Sequence, residues 1–284
     1  MFEDIRGLAP ERAARLASLV KGCRPLLEQG SGMEAVQQLL RDRGTGVIDA
    51  VAVTRELLGA GPGSLAEAKT IVLSSAARST ELRVHQQFVD GIEQATDVGD
   101  AILQQAPSRG DNIKIVAIDG AGGSGKTTLA AAVAGYIGDC VVIPCDDFYR
   151  PMPDHEREHL DAEEGYHRYF DWQRLRAQVL EPLRAHQAAR YETYDWATGQ
   201  LGGWREIVPR SVVIVEGVYS ARPELSAYYD LTVYVDTPRE ICLQRLRERA
   251  QDSEEWISRW RAAEDYYINT TQPRTRAALV VKSG

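Results

Sequence analysis

A chain of 284 residues, 44% of them hydrophobic and 26% charged, has globular composition and is long enough for one large domain with an appendage, which excludes a disordered or fibrous chain. With 41 acidic against 33 basic residues, its formal charge of -8 argues against a surface built for large nucleic acids and leaves small nucleotides as the polyphosphates a local basic pocket could take. The four cysteines, Cys23, Cys140, Cys145 and Cys242, lack a metal-ligand spacing, and none of His85, His155, His159, His167 and His186 forms a metal pair with a credible partner. The start, Met1-Phe-Glu-Asp-Ile-Arg-Gly, is not a basic segment followed by an apolar one, and no apolar run approaches the roughly 20 residues that span a bilayer. The expectation is a cytoplasmic protein with no membrane partner.

From Pro10 to about Gln105 apolar residues recur at helical spacing, around Arg12 to Val20, Met33 to Arg41, Ile48 to Leu58 and Leu65 to Leu73. A longer polar helix is predicted from Ser79 into the Gln104 region. Ala106-Pro-Ser-Arg-Gly-Asp-Asn112 has the composition of a linker, so the chain divides into a mainly helical region, 1–108, and a second domain, 109–284. There the rhythm changes to short runs rich in Val and Ile: Ile113 to Ile118, Cys140 to Pro144, Val212 to Val215, Leu231 to Val235 and Ala278 to Val281. Such runs, separated by helical segments, read as strands of a parallel sheet covered on both faces. The predicted fold is α/β, a three-layer sandwich around five parallel strands.

The first of these strands enters Gly120-Ala121-Gly122-Gly123-Ser124-Gly125-Lys126-Thr127-Thr128, after which an Ala-rich helix begins. This is G-x-x-x-x-G-K-[ST] between a strand and a helix, where glycines let backbone N–H groups curl around an anion. Lys126 would reach the β- and γ-phosphates of a nucleotide and Thr127 would offer its hydroxyl to Mg²⁺.

What lines the other side of the cleft separates a kinase from a switch. The second strand ends at Asp146-Asp147-Phe148-Tyr149, at the sheet edge where α/β proteins bind ligands. Asp146 could take the proton of an attacking hydroxyl or hold a Mg²⁺-bound water, or cap a turn. The third strand ends at Glu216-Gly217, a carboxylate placed to orient Mg²⁺. Arg245 and Arg249, one helical turn apart, could stabilise a phosphoryl group in transfer, or form a solvated basic face.

Taken together the loop, Asp146-Asp147-Phe148-Tyr149, Tyr169-Phe170-Asp171-Trp172, Tyr194-Asp195-Trp196, Val215-Glu216-Gly217 and Val233-Tyr-Val-Asp236-Thr237 with its arginine-rich continuation resemble the uridine kinase and phosphoribulokinase-like branch of the P-loop kinases. The likeness runs from about 113 to the C-terminus. It implies ATP and Mg²⁺ as cofactors, Asp146 as catalytic base, Lys126, Arg245 and Arg249 at the phosphates, and a lid around 239–260. It also implies an acceptor pocket at Asp147, Tyr149, Asp171, Tyr194 and Trp196, and Thr127 with Glu216 at the metal. The implied reaction is transfer of the γ-phosphoryl group of ATP to a hydroxyl of a small molecule, a nucleoside first of all. Two departures bear on the acceptor: Ala197-Thr198-Gly199-Gln200 follows Trp196 where the uridine kinases carry a histidine, and Cys242 stands where an arginine of the family falls. An antibiotic or other natural-product alcohol therefore stays open as acceptor, and so does a nucleotide-dependent regulator with no small-molecule acceptor. Val47 to Ser74 weakly resembles the helix-turn-helix part of the ribosomal stalk protein's C-terminal domain; a helical appendage that docks on the second domain or supports a homo-oligomer is the simpler expectation.

Overall fold

In a computed structural model of the chain, residues 10–59, 61, 64–105, 113–249 and 253–283 are described, 79–89 by their backbone alone. The linker expected at 106–112 lies outside the described residues. Two compact units divide the chain, Met1–Asp90 and Gly91–Gly284, so the division falls inside a helix, ahead of the boundary expected at 108/109.

The first unit holds α1 (Pro10–Glu28), α2 (Gly32–Asp42), α3 (Val47–Leu57), α4 (Ser64–Ser74), a 3-10 turn (Ala76–Arg78) and the beginning of α5 (Ser79–Gln104). Its helices bury the apolar stripes read from their spacing: Leu16, Val36, Leu40, Val53 and Val72 form one core. A polar seam crosses that core. Gln37 donates to the Thr54 hydroxyl at 2.8 Å and accepts from the Arg78 guanidinium at 3.3 Å, while Arg78 also donates to the Thr45 carbonyl at 3.0 Å. Burying Arg78 is tolerable because these acceptors replace its water.

In the second unit the rest of α5 is followed by β1 (Lys114–Gly120), α6 (Lys126–Ile137) and β2 (Cys140–Pro144), then a 3-10 turn, Cys145–Phe148. Short helices come next, α7 (Asp154–Arg157), α8 (Ala162–Arg168), α9 (Trp172–Leu175) and α10 (Glu181–Arg184). A hairpin of β3 (Ala189–Asp195) and β4 (Gln200–Ile207) leads to β5 (Val212–Glu216) and β6 (Leu231–Asp236). The chain closes with α11 (Arg239–Glu248), α12 (Glu254–Thr271), α13 (Pro273–Arg276) and β7 (Leu279–Lys282). All five predicted strands are present and parallel, in the order β2-β5-β1-β6-β7.

Central β1 shows why alternation is absent from its sequence. Ile115 and Ala117 enter a core with Leu175, Val179 and Tyr267 on one face, while Val116 and Ile118 meet Leu129, Val133 and the Val98 and Ile102 of α5 on the other. Both faces are dry, so every position is apolar. The order of strands puts the C-terminal ends of β1, β2 and β5 side by side, with Ile118 and Pro144 both in register with Glu216. The β3–β4 hairpin stands outside this sheet and was not read from the sequence; its antiparallel pairing is irregular between Glu192 and Tyr194, which breaks the period of two that marks a strand.

At the opposite, N-terminal ends of the strands the Asp230 carboxylate, almost fully buried, accepts from the Ile115 N–H at 2.7 Å and pairs with Arg184 at 2.8 Å. Removing the carboxylate takes the counter-charge from a buried guanidinium, which keeps the Tyr228 and Ile113 carbonyls, and the acceptor from the Ile115 N–H. Asp230→Ala should therefore cost about 3 kcal/mol or more in a urea titration of the protein, the magnitude seen when one partner of a buried pair is deleted.

Candidate active site

Where β1 turns into α6, Gly120 and Gly123 leave no room for a side chain. Gly123 has φ of +80°, and a Cβ there would lie 2.5 Å from the carbonyl oxygen of Cys242 on α11. Three carbonyls of the loop are engaged: Ala121 by Ser124 N–H at 3.0 Å and Lys126 Nζ at 2.7 Å, both from the loop itself, Gly123 by Arg245 at 3.3 Å and Ser124 by the Thr237 hydroxyl at 2.9 Å. The loop ends at the positive N-terminus of α6. The conformation is thus fixed by α11 and by Thr237 as well as by its own glycines.

Beside the loop, the Thr127 hydroxyl donates to Glu216, 3.2 and 3.3 Å from its two oxygens. Glu216 is 5% exposed at the end of β5, and burial pushes its carboxyl up, opposed by Lys126, raised further by Asp146 and lowered by the Thr127 hydroxyl and Arg249. Gly217 follows with φ of +146°, and a Cβ there would meet that of Cys145 at 2.5 Å, so β5 and the turn after β2 pack backbone to side chain. That contact sets Asp146 next to Glu216. Asp146 is open to the cleft on one side and enclosed by protein on the others. Its carboxyl is raised, first by desolvation, with Lys126 lowering, Asp147 raising and Arg249 lowering it. Lys126, Thr127, Asp146, Glu216, Arg245 and Arg249 are accordingly brought together; Thr128, the third residue of α6, is exposed.

The expected acceptor residues separate into two groups. Tyr149 and Tyr194 are buried and Trp196 is half exposed over both, with ring centroids 5.2 Å apart for Tyr149 and Tyr194 and 4.8 Å for Tyr149 and Trp196. Tyr169, Trp256 and Trp260 complete this aromatic wall. Arg157 lies over the Tyr149 ring and donates to the Tyr194 hydroxyl at 3.3 Å. Asp147 and Asp171 are instead engaged by the protein. Asp147 accepts from Tyr191 at 2.9 Å and pairs with Arg205 at 3.3 Å, tying the turn to the hairpin. Asp171 caps α9 through the Arg174 N–H at 3.1 Å and meets Arg150 at 3.4 Å. Cys242 is buried, its Sγ 3.7 Å from the Thr237 carbonyl, so it packs under the loop. Ala197-Thr198-Gly199 form the hairpin turn, with Asp195 accepting from Ala197 N–H and the Thr198 hydroxyl.

Five residues at the site, Asp119, Trp256, Trp260, Glu264 and Tyr267, were not read from the sequence. Asp119, buried just before the loop, accepts from Gly120 N–H at 2.6 Å, Ala221 N–H at 2.8 Å and the Tyr267 hydroxyl at 2.6 Å. Glu264 accepts from the Gly122 N–H at 2.7 Å. Trp256, Trp260, Glu264 and Tyr267 share one face of α12, spaced four, four and three residues apart; a glutamate inside an aromatic helical stripe was the available signal. The side chain of His85 lies outside the described residues, and among those described no three His, Cys, Asp or Glu side chains gather to hold a metal. Nor is any described helix long and apolar enough to cross a membrane.

A glycine loop joining the central strand of a parallel sheet to a helix, with carboxylates at the ends of two neighbouring strands, is the arrangement of a P-loop kinase. The chain belongs to the Phosphoribulokinase / Uridine kinase family, whose profile matches residues 115–283. It is 31% identical over 183 residues to a uridine kinase of Borrelia turicatae (strain 91E135), spanning 61% of this chain and 87% of that one. To a uridine kinase of Halobacterium salinarum (strain ATCC 700922 / JCM 11081 / NRC-1) it is 28% identical over 165 residues, 56% of this chain and 71% of the other. Among solved structures it is similar to one described as a possible uridine kinase from Bacillus stearothermophilus, with a TM-score of 0.53 and 26% identity over 66% of this chain and 97% of that one.

Gly123→Ala tests the loop. Left-handed strain costs on the order of 1–3 kcal/mol and the Cys242 carbonyl blocks relaxation, so calorimetric titration with ATP should show affinity reduced at least about tenfold.

Proposed function

We propose that this chain is an ATP-dependent kinase that transfers the γ-phosphoryl group to a hydroxyl of a small molecule, a nucleoside first among the candidates. The observation that carries the reading is the position of Asp146: one carboxylate open to the cleft, held beside Glu216 and within the fields of Lys126 and Arg249. A hydroxyl entering between Asp146 and the loop would give up its proton to that carboxylate as its oxygen attacks the γ-phosphorus. Lys126, Arg245 and Arg249 would offset charge gathering on the transferred group.

Mg²⁺ fits the donor set. Thr127 and Glu216 present hard oxygens already in contact with each other, and Mg²⁺ is commonly held by one or two such groups, with waters and phosphate oxygens filling its remaining positions. Bound there, it would neutralise charge on the β- and γ-phosphates. The aromatic wall of Tyr149, Tyr194 and Trp196 supports a planar acceptor, since stacked rings bury a base face at little entropic cost. Asp147 and Asp171, engaged by Tyr191, Arg205, Arg174 and Arg150, would shape this pocket by fixing the hairpin and α9, and Asp171, still partly exposed, keeps an oxygen within reach of acceptor hydroxyls.

The test is transfer of labelled phosphate from ATP to a panel of nucleosides, sugars and hydroxylated natural products. Asp146→Asn should lower kcat by about two to four orders of magnitude, the usual worth of a general base, while ATP still binds. Because the Asp146 carboxyl is raised, kcat should fall with acid on a limb above the ordinary aspartate range near 4, and that limb should vanish in Asp146→Asn. Unchanged turnover in the variant would remove Asp146 from the reaction. Label on a natural-product alcohol alone would move the acceptor class; no transfer to any acceptor, with ATP bound, would favour a regulator.

A further inference from the structure

Four carboxylates, Asp119, Asp146, Glu216 and Glu264, each feel the charge of Lys126. Three have evident work: Asp119 is held by three donors, while Asp146 and Glu216 face the cleft. Glu264 differs from these. It is 4% exposed, it comes from α12, and it reaches the third residue of the loop, where the Gly122 N–H donates to it at 2.7 Å. The approach is close: a Cβ at Gly122 would lie 3.2 Å from the same carboxylate oxygen, which would have to give by a few tenths of an ångström. The same helix carries Trp256 and Trp260 into the aromatic wall and Tyr267 onto Asp119.

A buried carboxylate beside a phosphate-binding loop is electrostatically costly in two ways. It must be desolvated, and it draws on the same lysine that a polyphosphate needs. A loop brace alone could be supplied by a neutral amide. Charge at this position would weaken nucleotide binding, which helps a kinase that must release a nucleotide after each turnover.

We infer that Glu264 is a positioning residue of the phosphate loop, bracing Gly122 from α12 and, by sharing Lys126 with the phosphates, keeping nucleotide affinity below what the loop alone would give. The inference rests on nucleotide binding by this loop and needs no knowledge of the acceptor.

Two near-isosteric variants separate the brace from the charge. Glu264→Gln keeps an oxygen for the Gly122 N–H and removes the charge; Glu264→Asp keeps the charge and withdraws it by one methylene. Titrations with ATP and Mg²⁺ should give Glu264→Gln a Kd at least about fivefold tighter than the native protein, as expected when one charge is removed near Lys126. Other charges facing Glu264, those of Arg261 and Asp265, stay constant between the proteins. Glu264→Asp should bind no more tightly than native, with faster hydrogen exchange across 119–127. Structural damage would weaken binding, so tightening is an outcome that a merely structural role does not produce. Equal or weaker binding by Glu264→Gln overturns the role of the charge, and native exchange rates in Glu264→Asp overturn the brace. Failure of the native protein to bind ATP at all would instead contradict the kinase reading.

Discussion

The arrangement of the site depends on one shared charge. Lys126 acts on four carboxylates, Asp119, Asp146, Glu216 and Glu264, with Arg249 near Asp146 and Glu216, Arg261 near Glu264, and Arg245 on the loop. Desolvation raises all four carboxyls, which is the cost of gathering them. The fold meets that cost locally with backbone N–H groups and hydroxyls: three donors on Asp119, Gly122 on Glu264, Thr127 on Glu216. Asp146 receives no such donor among the described residues, consistent with the part proposed for it.

From this follows the division of labour among the elements. β1, β2 and β5 deliver their ends to one line because they are neighbours in the parallel sheet. The helices after β6 then close on the loop from above: α11 through the Cys242 carbonyl and Arg245, α12 through Glu264. Since α12 also supplies Trp256 and Trp260 to the aromatic wall, the phosphate loop and the proposed acceptor pocket are braced by a single helix. Movement of that helix would be felt at both.

Much of this was legible in the sequence, and for physical reasons. Doubly covered strands admit only apolar residues, so five Val- and Ile-rich runs marked the sheet within a residue or two of its ends. The loop was legible because glycine is the only residue its dihedrals and its contact with α11 allow. Asp146 and Glu216 were legible because they end such runs. The hairpin was not, since its strands are irregularly paired and half exposed. Nor were Asp119 and Glu264, whose meaning lies in what they touch across the fold; a buried carboxylate and a solvated one are the same letter. Asp147 shows the reverse case, a residue of suggestive type whose carboxylate is occupied by Tyr191 and Arg205.

The sharing of these charges is tested most directly by measuring the affinity of the intact chain for ATP with Mg²⁺ and again with EDTA. The cations of the site already face four carboxylates before a polyphosphate arrives, so binding should weaken by at least about two orders of magnitude without the metal. Affinity unchanged in EDTA would mean that the carboxylates are neutral or distant from the phosphates, and the electrostatic basis of the site would be wrong.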